Sequence, residues 1–181
     1  MNHSEQQYIE LFTANRMAID RYSAPVLNAL REKAFEDFRR LGFPTQKVER
    51  YKYTDVSEAF APDYGLNLNR IDIPVNPYEA FRCDVPNLST SLYFVVNDAF
   101  YDKVLPSAPL PEGVIVCSLK KASEMYPEKV AAYYGQLARS EKDAVSALNT
   151  MLAQDGLFIY VPRNIVVERT IQVVKIGRAH V

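Results

Sequence analysis

The sequence contains few of the side chains that most often perform catalysis or bind metals. Its two histidines are His3 and His180, so the part between them lacks the usual general base and the commonest metal ligand. Its two cysteines, Cys83 and Cys117, are far apart with no C-x-x-C spacing, which predicts reduced thiols and not a disulfide or a metal site. Ser-His-Asp and Cys-His catalysis are therefore excluded.

The glycine-rich motifs that bind nucleotide phosphates are also absent from the sequence. With six glycines in 181 residues, the sequence has neither G-x-x-x-x-G-K nor G-x-G-x-x-G, so nucleotide hydrolysis is not predicted for this chain. Asp98, Asp102 and Glu112 could in principle pair for acid–base catalysis, but nothing in their surroundings indicates burial, and we interpret them as turn and surface acids. No catalytic, cofactor-binding or metal-binding residue is assigned, and the chain is predicted not to be an enzyme.

The most concentrated remaining feature is the tripeptide Tyr51-Lys52-Tyr53. A cation flanked by two exposed aromatic rings could form a docking patch for another protein. Tyrosines at alternate positions are more often half-buried packing residues, and that interpretation is preferred here. The docking patch stays open as the second possibility.

Composition limits the classes of partner. Hydrophobic residues make up 48% and charged residues 24%, which is typical of a globular protein. The 21 Lys and Arg nearly balance the 22 Asp and Glu, and no dense basic run occurs, so neither nucleic acid nor an anionic membrane is expected as a partner. Residues 1–10 do not resemble a signal peptide and no stretch reaches the ~20 apolar residues of a membrane span, which predicts a cytoplasmic protein.

Apolar residues at three- and four-residue steps predict two helices that pair as an antiparallel hairpin joined around Arg21 to Ala24. Ser23 is the expected N-cap of the second helix, Pro25 suits its first turn, and Gly42 is expected to end it. If Phe35 or Phe38 lies in the seam, its replacement by Ala should cost about 3–5 kcal/mol, and much less if it is partly exposed. The apolar stripes are Tyr8, Ile9, Leu11, Phe12, Ala18, Ile19 and Tyr22 in the first helix, and Val26, Leu27, Leu30, Ala34, Phe35, Phe38 and Leu41 in the second; Arg31, Glu32, Glu36 and Arg39 fall on the other face.

The middle of the chain predicts a connector, a small sheet and further helices. Prolines and asparagines between Pro62 and Pro86 are typical of an ordered connector with short extended pieces. The β-rich runs at 92–96 and 114–117, with Asn97-Asp98 as a turn, indicate a small sheet with hairpin connectivity. The helices expected next cover residues 119–126, 128–137 and 142–153, the first capped by Ser118.

After Gly156 the pattern becomes strand-like. Short gaps separate Leu157–Val161, Ile165–Glu168 and Ile171–Val174, which suits the corners of a parallel β-helix, although a meander fits nearly as well. We therefore predict an α+β fold, with a helical domain carrying a small sheet at residues 1–153 and the first strands of a truncated parallel β-helix at 154–175. Such a segment leaves an open strand edge, which further strands would cover in an intact protein.

Residues 176–181 do not continue this strand pattern. They read Ile-Gly-Arg-Ala-His-Val, which ATC GGA AGA GCA CAC GTC would encode, and that DNA is the core of a common sequencing-library adapter. We expect these six residues to be non-native and the natural protein to continue beyond Lys175. Resequencing the gene decides the matter.

Two groups of motifs resemble a known family. The segments Ala34-Phe35, Leu41 to Thr45, Lys47, Glu49 and Tyr51 to Thr54 are similar to the N-terminal signature of the SufB/SufD family of iron–sulfur cluster assembly proteins, and to its SufD members in particular. Leu148 to Thr150, Asp155 to Pro162 and Ile171 to Val174 resemble the entry into that family's β-helix core. Tyr51 stands where the family often has Trp. Between the two groups, Phe94 to Asn97, Leu110 to Val114 and Ser118-Leu119 occur in the expected order.

This resemblance implies a non-catalytic scaffold subunit that acts with a SufB-like subunit and a SufC-like ATPase. It implies no cofactor in this region, with the iron–sulfur cluster handled by the full complex, and partner contacts made mostly by parts outside this sequence. Tyr51, Lys52 and Tyr53 belong to the signature, but no cluster ligand can be assigned. Two alternatives remain: a secreted-type β-helix enzyme that modifies carbohydrates, and an unrelated protein-interaction module.

Overall fold

The computed structural model describes residues 3–63, 68, 74, 76–81 and 90–177, which form an α+β fold. Most of the predicted connector, with Cys83, and also His180 lie outside these residues. The chain divides into two compact units, one containing the described residues up to 68 together with 123–154, the other containing 74–122 and 155–177. The helices are α1 His3–Arg21, α2 Pro25–Asn28, α3 Arg31–Leu41, α4 Val56–Ala59, α5 Pro77–Ala80, α6 Leu119–Met125, α7 Pro127–Tyr133 and α8 Ala144–Leu152; the strands are β1 Thr90–Val96, β2 Ala99–Phe100, β3 Ile115–Ser118, β4 Leu157–Tyr160 and β5 Thr170–Ile176.

The core of the first unit joins three of the longer helices. Phe12 of α1 and Phe35 of α3 meet with ring centroids 4.7 Å apart, but α3 packs chiefly against α8, a partner that the apolar stripes did not specify. Phe38 is 1% exposed and contacts Phe43 edge-on. The buried apolar cluster consists of Tyr8, Phe12, Ile19, Ala34, Phe38, Phe43, Val56, Ala144, Ala147, Leu148 and Met151.

The prediction of one continuous second helix is wrong, because α2 ends at Asn28 and α3 begins only at Arg31. Ser23 does not cap α2; its hydroxyl accepts a hydrogen bond from Arg31 at 2.7 Å, and Ala24 occupies the N-cap position. The Asn28 amide donates to the carbonyl of Asp20 and its oxygen accepts from Arg31. Asparagine side chains that bond locally in this way compete with helix continuation.

Gly42 ends α3 as predicted. Its φ of 60° is readily adopted by glycine, and its N–H donates to the carbonyl of Phe38 at 2.9 Å. A Cβ at this position would lie 2.8 Å from Oε1 of Glu5, and that same oxygen accepts a hydrogen bond from the Phe43 N–H. The end of α3 is therefore fastened to the first turn of α1.

The second unit holds two small sheets. β1 and β2 form an antiparallel hairpin through Asn97 and Asp98, whose φ values of 46° and 62° confirm the predicted turn. β5 lies on the other side of β1, parallel to it, from Thr90 opposite Thr170 to Val96 opposite Ile176. β3 pairs with β4 in a separate antiparallel sheet, so the expected hairpin connectivity does not extend to it.

A β-helix is not confirmed by these strands. Of the three predicted runs, residues 165–168 are not a strand, and β4 and β5 each pair with an earlier strand instead of with each other. Strand pairing includes Ile176, the first of the six residues predicted to be non-native, while residues 178–181 lie outside the described part of the chain. Their adapter origin stays a prediction.

The boundaries of the later helices are set by local capping. Ser118 accepts a hydrogen bond from the Lys121 N–H and caps α6 as predicted. α7 ends at Tyr133, four residues early, where Gly135 takes a φ of 72°. α8 begins at Ala144, because Asp143 is its N-cap and accepts from the Ser146 N–H at 2.9 Å.

Candidate interaction surface

The structure separates the three residues of the predicted patch. Tyr51 is half-buried and packs against the apolar cluster, as the preferred interpretation predicted. Tyr53 is 89% exposed, so the same interpretation is wrong for it. The exposed Lys52 places its Nζ 5.5 Å from the centroid of the Tyr53 ring. One residue therefore anchors the segment and two face solvent.

Tyr51 is anchored by Asp143. Its hydroxyl donates to Oδ2 of Asp143 at 2.6 Å, and Nη2 of Arg50 lies 3.0 Å from the same oxygen. Burial, together with the negative charge of Asp143, raises the pKa of the Tyr51 hydroxyl. Burial opposes ionisation of Asp143, but hydrogen bonds from Tyr51 and Ser146 and the charge of Arg50 outweigh it and lower the pKa of that carboxyl.

Asp143 was not singled out by sequence reasoning, although a usable signal exists. An aspartate directly before a helix is a preferred N-cap, and the Ser146 N–H lies three positions on. The one carboxylate therefore caps α8 and holds Tyr51. This couples the position of the 45–54 loop, which carries Lys52 and Tyr53, to the start of a core helix.

A second carboxylate, Asp37, holds the turn that precedes Asp143. Its Oδ2 accepts from Nζ of Lys33 and from the hydroxyl of Ser140, both at 2.7 Å, and its Oδ1 accepts from Arg40 at 3.0 Å. Burial alone would raise the pKa of Asp37, but these hydrogen bonds outweigh it and lower the pKa to about 2. The network fastens residues 140–142 to α3.

This lowered pKa predicts acid sensitivity. Because ionised Asp37 is favoured in the folded state, its stabilisation is complete above the unfolded pKa near 4 and is lost as the pH falls through about 2. The depression corresponds to about 2 kcal/mol in the free energy of unfolding. Urea unfolding of the full chain at pH 6 should therefore show Asp37→Asn less stable by roughly that amount.

The matched control for this prediction is Glu36→Gln, on the exposed side of the same helix. It should leave the free energy of unfolding unchanged within about 0.5 kcal/mol. The difference between wild type and Asp37→Asn should shrink as the pH approaches 2. A difference that stays constant from pH 6 to pH 2 would contradict the assignment.

The other chemistry-bearing residues do not converge on one site. Asp98 lies in the β1–β2 turn, where its Oδ1 is 3.0 Å from Nζ of Lys175, and Asp102 and Glu112 are exposed, which confirms their interpretation as turn and surface acids. Cys117 is half-buried in β3, and burial raises the pKa of its thiol. Among the described residues, no group of three or more His, Cys, Asp or Glu side chains could hold a metal ion. None of the helices in that part of the chain has the length and apolar character needed to cross a membrane.

An aspartate that the sequence analysis named only as the start of a family-like segment organises the second unit. Oδ1 of Asp155 accepts from the Ser118 hydroxyl at 2.7 Å and from the Lys120 N–H at 2.9 Å, and its Oδ2 accepts from the Phe100 N–H at 3.2 Å. These bonds join β2, the end of β3 and the start of α6. Asp155 therefore has a structural role.

The strands that follow Asp155 leave apolar surface in solvent. Within the described part of the chain, β5 is an edge strand of the sheet β2–β1–β5. Exposed apolar side chains accompany it and the segment before it: Ile159, Val161, Ile165, Val166 and Val173. A strand edge with apolar neighbours is a surface that other chain segments can cover.

Comparisons with known proteins identify the family. A family model described as the N-terminal region of SufBD proteins matches residues 2–173. Relatives include the iron–sulfur cluster assembly SufBD family protein ABCI9 of Arabidopsis thaliana, 32% identical in an alignment of 150 positions that covers 74% of this chain and 32% of the relative. The chloroplastic SufBD family protein ABCI8 of the same plant is 32% identical over 146 residues, covering 74% of this chain and 26% of its own length.

A third relative extends the comparison to a diatom. The iron–sulfur cluster assembly SufBD family protein ycf24 of Trieres chinensis is 29% identical in an alignment of 146 positions that covers 74% of this chain and 30% of that protein. This chain thus spans about a third or less of the length of these relatives. The match over residues 2–173 shows that the chain belongs to the SufBD family and contains the family's N-terminal region.

Proposed function

We propose that this chain is the N-terminal part of a non-catalytic, cytoplasmic scaffold subunit for iron–sulfur cluster assembly. It is of the SufD kind and acts with a SufB-like subunit and a SufC-like ATPase. The observation that carries the proposal is the family match over residues 2–173, together with relatives named as iron–sulfur cluster assembly proteins.

The distribution of reactive groups supports a scaffold role for this region. The only histidines of the sequence are His3 and His180, and no phosphate-binding glycine motif is present. Within residues 3–63, 68, 74, 76–81 and 90–177, the acidic and thiol side chains form no group suited to a metal. We therefore assign ATP hydrolysis to the SufC-like partner and cluster binding to the full complex.

The choice of SufD over SufB rests on the signature segments Leu41 to Thr45 and Tyr51 to Thr54. The two alternatives, a carbohydrate-active enzyme and an unrelated interaction module, gain no support from membership in this family. Exposed apolar residues such as Val161, Val166 and Val173 support an assembly role, because they offer surface for other protein segments.

The test begins with the full-length gene product, tagged at its own chromosomal locus and purified from its own organism. We expect a SufB-like protein and an ATPase to co-purify in fixed proportion, and ATP hydrolysis to depend on the ATPase subunit. An unrelated cytoplasmic protein with the same tag is the control. Deleting the gene should lower the activity of an iron–sulfur enzyme in the same cells, and the wild-type gene should restore it.

Two results would overturn the proposal. One is a preparation that contains no ATPase and no SufB-like protein while iron–sulfur enzyme activity is unaffected by the deletion. The other is turnover of a polysaccharide by the isolated protein. If the protein co-purifies with a second copy of itself in place of a distinct SufB-like partner, the family assignment stands but the SufD assignment is rejected.

A further inference from the structure

The 45–54 loop exposes an aromatic ring and a cation that the fold does not use. The ring of Tyr53 is 89% exposed, and the ammonium of Lys52 lies 5.5 Å from its centroid. An exposed cation–π contact stabilises a fold only weakly. Tyrosine is among the residues most enriched in binding hot spots, since its ring supplies contact area with little conformational freedom to lose.

The loop is held in place before any partner arrives. The Tyr51 N–H donates to the carbonyl of Val48 at 2.8 Å, and the Thr54 N–H donates to that of Tyr51 at 2.9 Å. The Tyr51 hydroxyl is fixed to Asp143 at 2.6 Å. A surface that is already ordered loses less entropy when it binds, so Lys52 and Tyr53 are presented from a prepared backbone.

The charge of the loop is positive once internal pairs are removed. Arg50 is compensated by Asp143 at 3.0 Å. Among the described residues, no carboxylate lies within ion-pair distance of Lys47 or Lys52. The loop itself carries one acid, Glu49. Val48 adds an exposed apolar side chain beside them. The surface thus combines cations with an aromatic and an aliphatic contact.

We propose that Lys52 and Tyr53, with Lys47 on the same loop, form a docking site for an acidic segment of a partner protein. A carboxylate of that segment pairs with Lys52 and its aliphatic stem packs on the Tyr53 ring, which matches both features of the loop. Nucleic acid fits less well, because the chain has a net charge of -1 and the loop has few cations. This inference goes beyond the scaffold role and does not depend on it.

The first experiment locates the partner in cells that produce the full chain. The photo-crosslinking residue p-benzoylphenylalanine replaces Tyr53 in one strain and Tyr133, a tyrosine that is 71% exposed on α7, in the control strain. We expect position 53 alone to give an adduct with one protein, mapped by mass spectrometry to a segment rich in Asp or Glu. An adduct with nucleic acid, an adduct in a segment without acids, or no adduct beyond that at position 133 would overturn the proposal.

The second experiment measures affinity for the purified partner identified in this way. Lys52→Glu and Tyr53→Ala should each weaken binding about tenfold, and the affinity of the wild type should fall as salt is raised. Lys52→Arg and Tyr133→Ala should stay within about twofold of wild type. Replacing the contacted acid of the partner with Lys should restore binding to Lys52→Glu. Unchanged affinity in both loop variants, with unfolding curves like the wild type, would reject the site while leaving the proposed assembly role intact.

Discussion

Replacing Arg31 with Met is expected to lower the free energy of unfolding of the full chain by about 3–5 kcal/mol. Arg31 is 0% exposed, and its guanidinium donates to the Ser23 hydroxyl at 2.7 Å and to the carbonyls of Met151 at 3.0 Å and Thr150 at 3.4 Å. Its Nε also lies 3.1 Å from Oδ1 of Asp20. Removing the arginine leaves the buried Ser23 hydroxyl and the carbonyls of Thr150 and Met151 without this donor.

Urea unfolding followed by circular dichroism measures this effect. Arg39→Met is the matched control, because Arg39 lies on the same helix and is exposed, and its loss should change stability by about 0.5 kcal/mol or less. A loss for Arg31→Met no larger than that for Arg39→Met would contradict the buried-network interpretation.

Replacing Phe38 with Ala should cost about 3–5 kcal/mol in the free energy of unfolding. Phe38 is 1% exposed and meets Phe43 with centroids 5.3 Å apart, so truncation opens a cavity between α3 and the loop that follows it. Phe35, three residues earlier, is only half-buried and has Arg39 over its ring at 5.5 Å. Phe35→Ala should therefore cost no more than about 2 kcal/mol.

The pair of phenylalanine variants decides which ring belongs to the seam. Both changes remove the same atoms from the same helix, so a difference in the midpoint of thermal or urea unfolding reports the different surroundings of the two rings. Equal losses for the two variants would show that the core extends around α3 more evenly than the structure indicates.

The sequence pattern predicted local structure well where one periodicity or one cap decides it. The stripes through Phe12 and Phe38 predicted helices, Gly42 predicted an end, and Asn97-Asp98 predicted a turn, because each depends on residues close in sequence. The break before Arg31 was missed, because the apolar stripe continues across it through Leu27 and Leu30, while the local hydrogen bonds of Asn28 that accompany the break leave no mark in that stripe.

The burial of a charged residue and the pairing of the later strands were predicted poorly from the sequence pattern alone. Arg31 was placed on the solvent face with Glu32, Glu36 and Arg39, which is right for the last three and wrong for Arg31. A buried arginine is stable only when most of its donors have acceptors, and these come from distant residues. The partners of β4 and β5 were missed for the same reason, as was the Asp143 anchor of Tyr51, which lies 92 positions away.

The discontinuous core of the first unit has a consequence for how the protein is made. On the ribosome, α1 and α3 emerge long before α8, at residues 144–152, supplies the Ala147, Leu148 and Met151 side chains that cover them. At elongation rates of about 5–20 residues per second that delay is roughly 5–20 seconds. During it, the apolar stripes of the nascent helices are available to chaperones, and a chain stalled before residue 144 would present a degradation signal instead of a folded domain.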